Sequence, residues 1–187
     1  MVKWLHAHRS EACTLAAMDD AASGGHLAVL QWLEENTNAH CSTAAMDGAA
    51  ENGHLEVVKW LHAHRSEGCT TGAMDGAAQH GHLAVVKWLH RHRSEGCTTD
   101  AIDSAANDQD GETDIILWLH KHRSAGCTTA AMENAAAQYN FDAVLFLHSQ
   151  RREGCTRDAL RYTDDEASKN IYEWLEDHYS SLKVSAS

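Results

Sequence analysis

The sequence predicts an all-α solenoid of stacked helix-turn-helix units, on a strict period, an absence of proline and two amphipathic helical segments in each period. Trp4, Trp32, Trp60, Trp88, Trp118, Phe146 and Trp174 follow one another at intervals of 28, 28, 28, 30, 28 and 28 residues. Cys13, Cys41, Cys69, Cys97, Cys127 and Cys155 keep the same steps. Self-similarity at a fixed period marks a repeat architecture, in which each unit buries its apolar side on its neighbours. The chain has no Pro and few β-branched runs, which favours helix over sheet.

The unit Cys69–Gly96 shows the design most clearly. Thr70 or Thr71 can cap a helix A in which Met74, Ala77 and Ala78 share one face, and Gly81 stands at the C′ position that stops it. In helix B, Leu83, Val85, Val86, Trp88 and Leu89 cover a wide apolar arc, and His90, Arg91, His92 and Arg93 suit a helix C-terminus. Ser94-Glu95-Gly96 closes the unit. Neither helix is long enough to persist alone, so stacking must support both. The expected core sets large against small, with each helix B Trp packed on the Ala-Ala pair and on Gly48 or Gly76 beside it.

Extended along the chain, the pattern gives a half-repeat over 1–12, repeats over 13–40, 41–68, 69–96, 97–126 and 127–154, a capping repeat over 155–179 and a frayed tail over 180–187. Asn107 to Asp110 carry a two-residue insertion. Tyr139-Asn140 replaces the Gly-His of other repeats, and the last repeat loses both Ala-Ala and Gly-His around Thr163 to Ser168.

A formal net charge of −12 with a pI near 5.6 opposes nucleic acid and anionic membrane as partners and favours a neutral or basic protein. Protonation of the fifteen His near pH 6 would carry that charge towards neutrality. The opening residues Met1 to His6 lack a signal-peptide core, and no stretch approaches the roughly 20 apolar residues of a membrane span, so an intracellular protein is expected. One Cys per repeat reads as a free, buried core thiol.

Four His-x-His…Cys clusters offer zinc-type donors: His6, His8, Cys13; His62, His64, Cys69; His90, His92, Cys97; and His120, His122, Cys127. On a helix, however, residues two apart point about 200° away from each other, so the expected roles are structural and no metal or cofactor is assigned. No nucleophile-base pair, Gly-rich phosphate loop, His-Glu-x-x-His or Gly-x-Ser-x-Gly occurs, so no catalytic residue is assigned. An Arg ladder (Arg9, Arg65, Arg93, Arg123, Arg151) runs with Glu11, Glu67, Glu95 and Glu153 and with Asp19, Asp47, Asp75, Asp103 and Glu133. Pairing between repeats is its simplest use, and a charged docking strip the alternative.

Positions that differ between repeats are free to be tuned to a partner. Asp20, Gly48, Gly76, Ser104, Asn134 and Tyr162 form one such set and Ser23, Glu51, Gln79, Asn107 and Ala137 another, all on helix A or its end.

The run Ala77-Ala-Gln-His-Gly-His-Leu-Ala-Val-Val-Lys-Trp-Leu89 resembles the Ala-Ala-x-x-Gly-His-Leu-x-Val-Val-x-Leu-Leu heart of an ankyrin repeat. It recurs at Ala21–Leu33, at Ala49–Leu61 and, weakened, at Ala105–Leu119. The usual ankyrin period is about 33 residues; here the β-hairpin finger is shortened away, and Gly72-Ala-Met-Asp75 stands where Thr-Pro-Leu-His opens helix A. The short form resembles the ankyrin-like families expanded in oomycetes and giant viruses. The resemblance implies a non-catalytic scaffold that holds a protein on a concave helix A surface, with His26, His54 and His82 stabilising the turns by a hydrogen bond. A structural spacer within a longer ankyrin-repeat protein, with no ligand of its own, is the alternative.

Overall fold

A computed structural model describes residues 15–107, 113–160 and 169–179. The expected half-repeat at 1–12, part of the insertion, Tyr162 and the 180–187 tail lie outside the described residues. Among the described residues the regular structure is helical, with no strand, and no helix is long and apolar enough to cross a membrane.

The chain divides into two compact units, Met1–Gly96 and Cys97–Ser187. The first contains α1 (Leu15–Ser23), α2 (Leu27–Asn36), α3 (Thr43–Glu51), α4 (Leu55–His64), α5 (Gly72–Gln79) and α6 (Leu83–His92). The second contains α7 (Asp100–Ala105), α8 (Asp114–His122), α9 (Thr129–Ala137), α10 (Phe141–Gln150), a 3₁₀ turn (Arg157–Leu160) and α11 (Lys169–His178). In the first unit α1, α3 and α5 are A helices packed side by side, and α2, α4 and α6 are their B partners.

The Ala-Ala-x-x-Gly-His run is a helix stop written in backbone hydrogen bonds. His54 N donates to Ala49 O (2.8 Å) and Gly53 N to Ala50 O (3.1 Å), the two bonds of a Schellman motif. Gly53 has φ +74°, and a Cβ on it would stand 2.7 Å from the His82 ring of the next repeat. Conformation and contact therefore both require glycine there. Tyr139 keeps the same left-handed geometry, φ +57°, and Asn140 N still reaches Ala135 O at 2.9 Å.

Met18, Met46, Met74 and Met132 and the Ala pairs at 21–22, 49–50, 77–78 and 135–136 are buried from the A side. Leu30, Leu33, Val57, Val58, Leu61, Val85, Val86 and Leu89 meet them from the B side in the first unit. The expected Trp core needs correction. Trp60 is 8% exposed, but Trp32, Trp88, Trp118 and Trp174 are only half-buried. Gly48 and Gly76 do not make room for them either. A Cβ on Gly48 would meet Ser23 at 3.0 Å and one on Gly76 would meet Glu51 at 3.1 Å, so these glycines let neighbouring A helices approach.

Candidate functional site

Within each unit, consecutive repeats are joined through the first turn of helix A. Asp47 accepts from Thr70 twice, from its backbone N–H at 2.8 Å and from its hydroxyl at 2.7 Å. Thr70 Oγ1 in turn accepts from Gly72 N at 3.0 Å, the N-terminal cap of α5. The same joint links Asp19 to Ser42 (2.9 and 2.7 Å) and Asp103 to Thr128 (2.8 and 2.6 Å). Glu133 reproduces it with one oxygen on Thr156, at 3.1 and 2.7 Å. The acidic ladder thus serves Ser and Thr caps, which corrects the Arg pairing expected for it. Arg93 instead pairs with Glu95 of its own loop and lies over Gly68, and Arg65 reaches Glu34 at 3.9 Å.

The two His of His62-x-His64 and of His120-x-His122 part company, as their helical spacing requires. The second stacks on the Trp four residues earlier: His64 on Trp60 (4.8 Å between ring centroids), His92 on Trp88 (4.6 Å) and His122 on Trp118 (4.4 Å), and His178, aligned with them although Glu176 replaces the first His, stacks on Trp174 (4.1 Å). His64 Nδ1 lies 2.9 Å from Trp60 O and His122 Nδ1 2.8 Å from Trp118 O. A carbonyl only accepts, so Nδ1 carries the proton. The first His meets the aromatic ring of the following repeat edge-on, His62 with Trp88 (5.2 Å) and His120 with Phe146 (5.2 Å), and the aligned His148, followed by Gln150 instead of a second His, meets Trp174 in the same way (4.8 Å). These rings form a zipper along the B helices. His148 also shares a 2.9 Å hydrogen bond with the Tyr179 hydroxyl.

The thiols are poor ligands and nucleophiles. Burial pushes Cys41, Cys69, Cys127 and Cys155 up to about 11, and nearby Glu67, Glu95, Glu153 and Glu133 add to the effect in that order. Each thiol is protonated at neutral pH. Cys41, Cys69, Cys97, Cys127 and Cys155 are free. Among the described residues no group of three or more His, Cys, Asp and Glu is arranged to hold a metal ion.

The loop that replaces a finger is closed by its own glutamate. Glu67 Oε2 accepts from Ser66 N at 2.9 Å and Glu95 Oε2 from Ser94 N at 2.9 Å. Burial opposes the charge on Glu67, but the amides of Glu67 and Ser66, the Cys41 thiol and Arg65 outweigh it and hold the carboxyl low. On Glu95 the hydrogen bond from Arg93 leads.

Of the variable positions, Asp20, Glu51, Gln79 and Asn107 are exposed, whereas Ser23, Gly48, Gly76, Ser104 and Asn134 are half-buried. Some also join repeats. Asn52 Nδ2 donates to Ser23 Oγ at 3.1 Å, Asn134 Nδ2 to Asp103 O at 2.7 Å and Gln138 Nε2 to Asn107 Oδ1 at 2.8 Å. Asp20, Glu51 and Gln79 are therefore the exposed members in the first unit. His54 and His82, which do not cap their own B helices, place their rings over Gly25 and Gly53 of the preceding repeat.

Sequence reading missed Leu117 and Leu145, 42% and 38% exposed. The signal was present in the period, because the aligned residues are Gln31, Lys59 and Lys87.

No curated protein matches the chain. Residues 18–103 match the family model described as Ankyrin repeats (3 copies). The matched segment spans three of the Ala-Ala-x-x-Gly-His stops, with the A and B helices on either side of each. With helix pair and glycine turn in the same order in three successive units, residues 18–103 are ankyrin repeats in a 28-residue form.

Proposed function

We propose that the chain is a non-catalytic, intracellular scaffold that holds a neutral or basic protein segment on the concave, helix A side of its repeats. Ankyrin repeats are generally protein-interaction modules. One observation carries the reading for this chain: the residues that recur are consumed by stacking, and those that vary include exposed side chains on the A helices. Met, Ala-Ala, the Asp-to-Thr joint and the His-Trp zipper are repeat invariants with structural partners. Asp20, Glu51 and Gln79 are left facing solvent, with Asn107 in the second unit. Ser23, Gly48, Gly76, Ser104 and Asn134 shape the ground between them, and Tyr162 belongs to the same set by alignment. The net charge of −12 supports a basic partner over nucleic acid or an anionic membrane.

Affinity capture with the whole chain and with an Asp20→Ala/Glu51→Ala/Gln79→Ala variant tests the proposal. The variant should keep its thermal melt and lose the captured protein. Equal capture by both would refute the helix A surface, and no specific capture by either is the outcome expected of a spacer.

A further inference from the structure

We propose that the exposed face of the B helices in the second unit is an additional docking surface for a cationic amphipathic protein segment. Leu117 and Leu145 would take its apolar side chains, and Asp114, Asp142 and Glu173 its Lys or Arg side chains.

On α8 the solvent side carries Asp114, Leu117 and Lys121, at i, i+3 and i+7. On α10 the aligned residues are Asp142, Leu145 and Ser149, and on α11 they are Asn170, Glu173 and Asp177. The three helices are successive neighbours, because His120 meets Phe146 at 5.2 Å and His148 meets Trp174 at 4.8 Å. Leu117 and Leu145 each directly precede one of the ring-bearing residues, Trp118 and Phe146, and so occupy equivalent places on adjacent helices. The result is a pair of leucines bordered by four carboxylates and a single lysine.

The first unit shows what this face looks like when it only needs to be solvated. Its aligned residues are Ala28, Gln31 and Glu35 on α2, Glu56, Lys59 and Ala63 on α4, and Ala84, Lys87 and Arg91 on α6. Lys59 Nζ lies 2.6 Å from Glu56 Oε1, an i, i+3 pair. In the second unit leucine occupies the place of that lysine twice, and neither Asp114 nor Asp142 has an ion pair among the described residues. Two changes are thus made together: a cation is removed from beside an acid, and apolar surface is put in its place. A partner that supplies both a cation and an apolar contact restores what is missing. A second copy of the chain would not, since it would bring the same carboxylates against this face.

The test uses the full chain and two labelled helical peptides of about 18 residues, five turns, one patterned with Leu and Lys and one with Ala in place of every Leu. Fluorescence anisotropy should show the Leu-Lys peptide binding roughly ten-fold tighter than its Ala-Lys counterpart, about 1.4 kcal/mol. Leu117→Lys/Leu145→Lys should abolish that preference. These substitutions install a residue already tolerated at the aligned positions, so the circular dichroism and melt should be unchanged. Asp114→Asn/Asp142→Asn/Glu173→Gln should weaken both peptides, and Glu56→Gln in the other unit should weaken neither. Unchanged discrimination in the double-lysine variant would overturn the proposal. So would equal weakening by Glu56→Gln, or a dimer in sedimentation that Leu117→Lys/Leu145→Lys dissolves.

Discussion

Asp47 and Thr70, 23 residues apart, close one joint between consecutive repeats: both carboxylate oxygens of Asp47 accept from Thr70, whose hydroxyl oxygen caps the next helix A. One acidic side chain therefore anchors the neighbouring repeat and orients the group that starts its first helix. Asp47→Ala removes both bonds and should cost about 1–3 kcal/mol in urea denaturation. Thr70→Val should cost nearly as much, and the double variant should cost less than the sum, because the two residues share the interaction. Additive losses would mean that the joint contributes nothing as a pair.

Gly53 combines a left-handed backbone with contact against His82. Gly53→Ala should destabilise the chain by about 1–2 kcal/mol for the backbone conformation alone, with a further loss from the contact. Adding His82→Ala should recover the contact part and leave the conformational part. Chemical denaturation of Gly53→Ala, His82→Ala and the double variant separates the two.

Trp60 and Trp88 are the same residue type at aligned positions in different degrees of burial. Trp60→Ala should cost about 3–5 kcal/mol, and Trp88→Ala measurably less. Equal costs would contradict a core built on Met, Ala, Val and Leu with the tryptophans along its border.

The buried thiols set an alkaline limit. Their folded pKa, about 11, lies above the ordinary value of 9.0, so the folded state holds these protons more tightly than the unfolded state. The associated stability is complete below pH 9 and is lost as pH rises towards 11. The melting temperature should fall between about pH 9 and 11, the window set by that linkage. Cys69→Ala should make the fall shallower. Maleimide labelling of the native chain at pH 7 should be slow and should become fast in urea.

Much of this fold is legible in the sequence because a period multiplies each weak signal. The Met, Ala and Ala face of α5 and the Gly81 stop follow from one repeat, and the recurrence of the face in four repeats and of the stop in three makes them secure. The pairing of side chains was less accessible. Spacing shows that Asp47 recurs, but only the geometry reveals Thr70 rather than Arg as its partner. The tryptophans misled for a related reason: recurrence signals a shared environment without saying how deep it is. At the candidate site, exposed Glu51 and Gln79 could not be told from half-buried Ser23 and Gly48 until neighbouring A helices were placed side by side. Leu117 and Leu145 were visible only as departures from the aligned lysines.

Deleting one full period, Cys41–Gly68, tests the interchangeable-repeat account most directly. The deletion brings Asp19 into register with Thr70 and Gly25 beneath His82, recreating both contacts that now bridge consecutive units. The account predicts a cooperatively folded chain with unchanged ellipticity per residue at 222 nm, a wavelength that reports helix, and a lower melting temperature in keeping with a shorter stack. Loss of helix or of cooperative melting would contradict it.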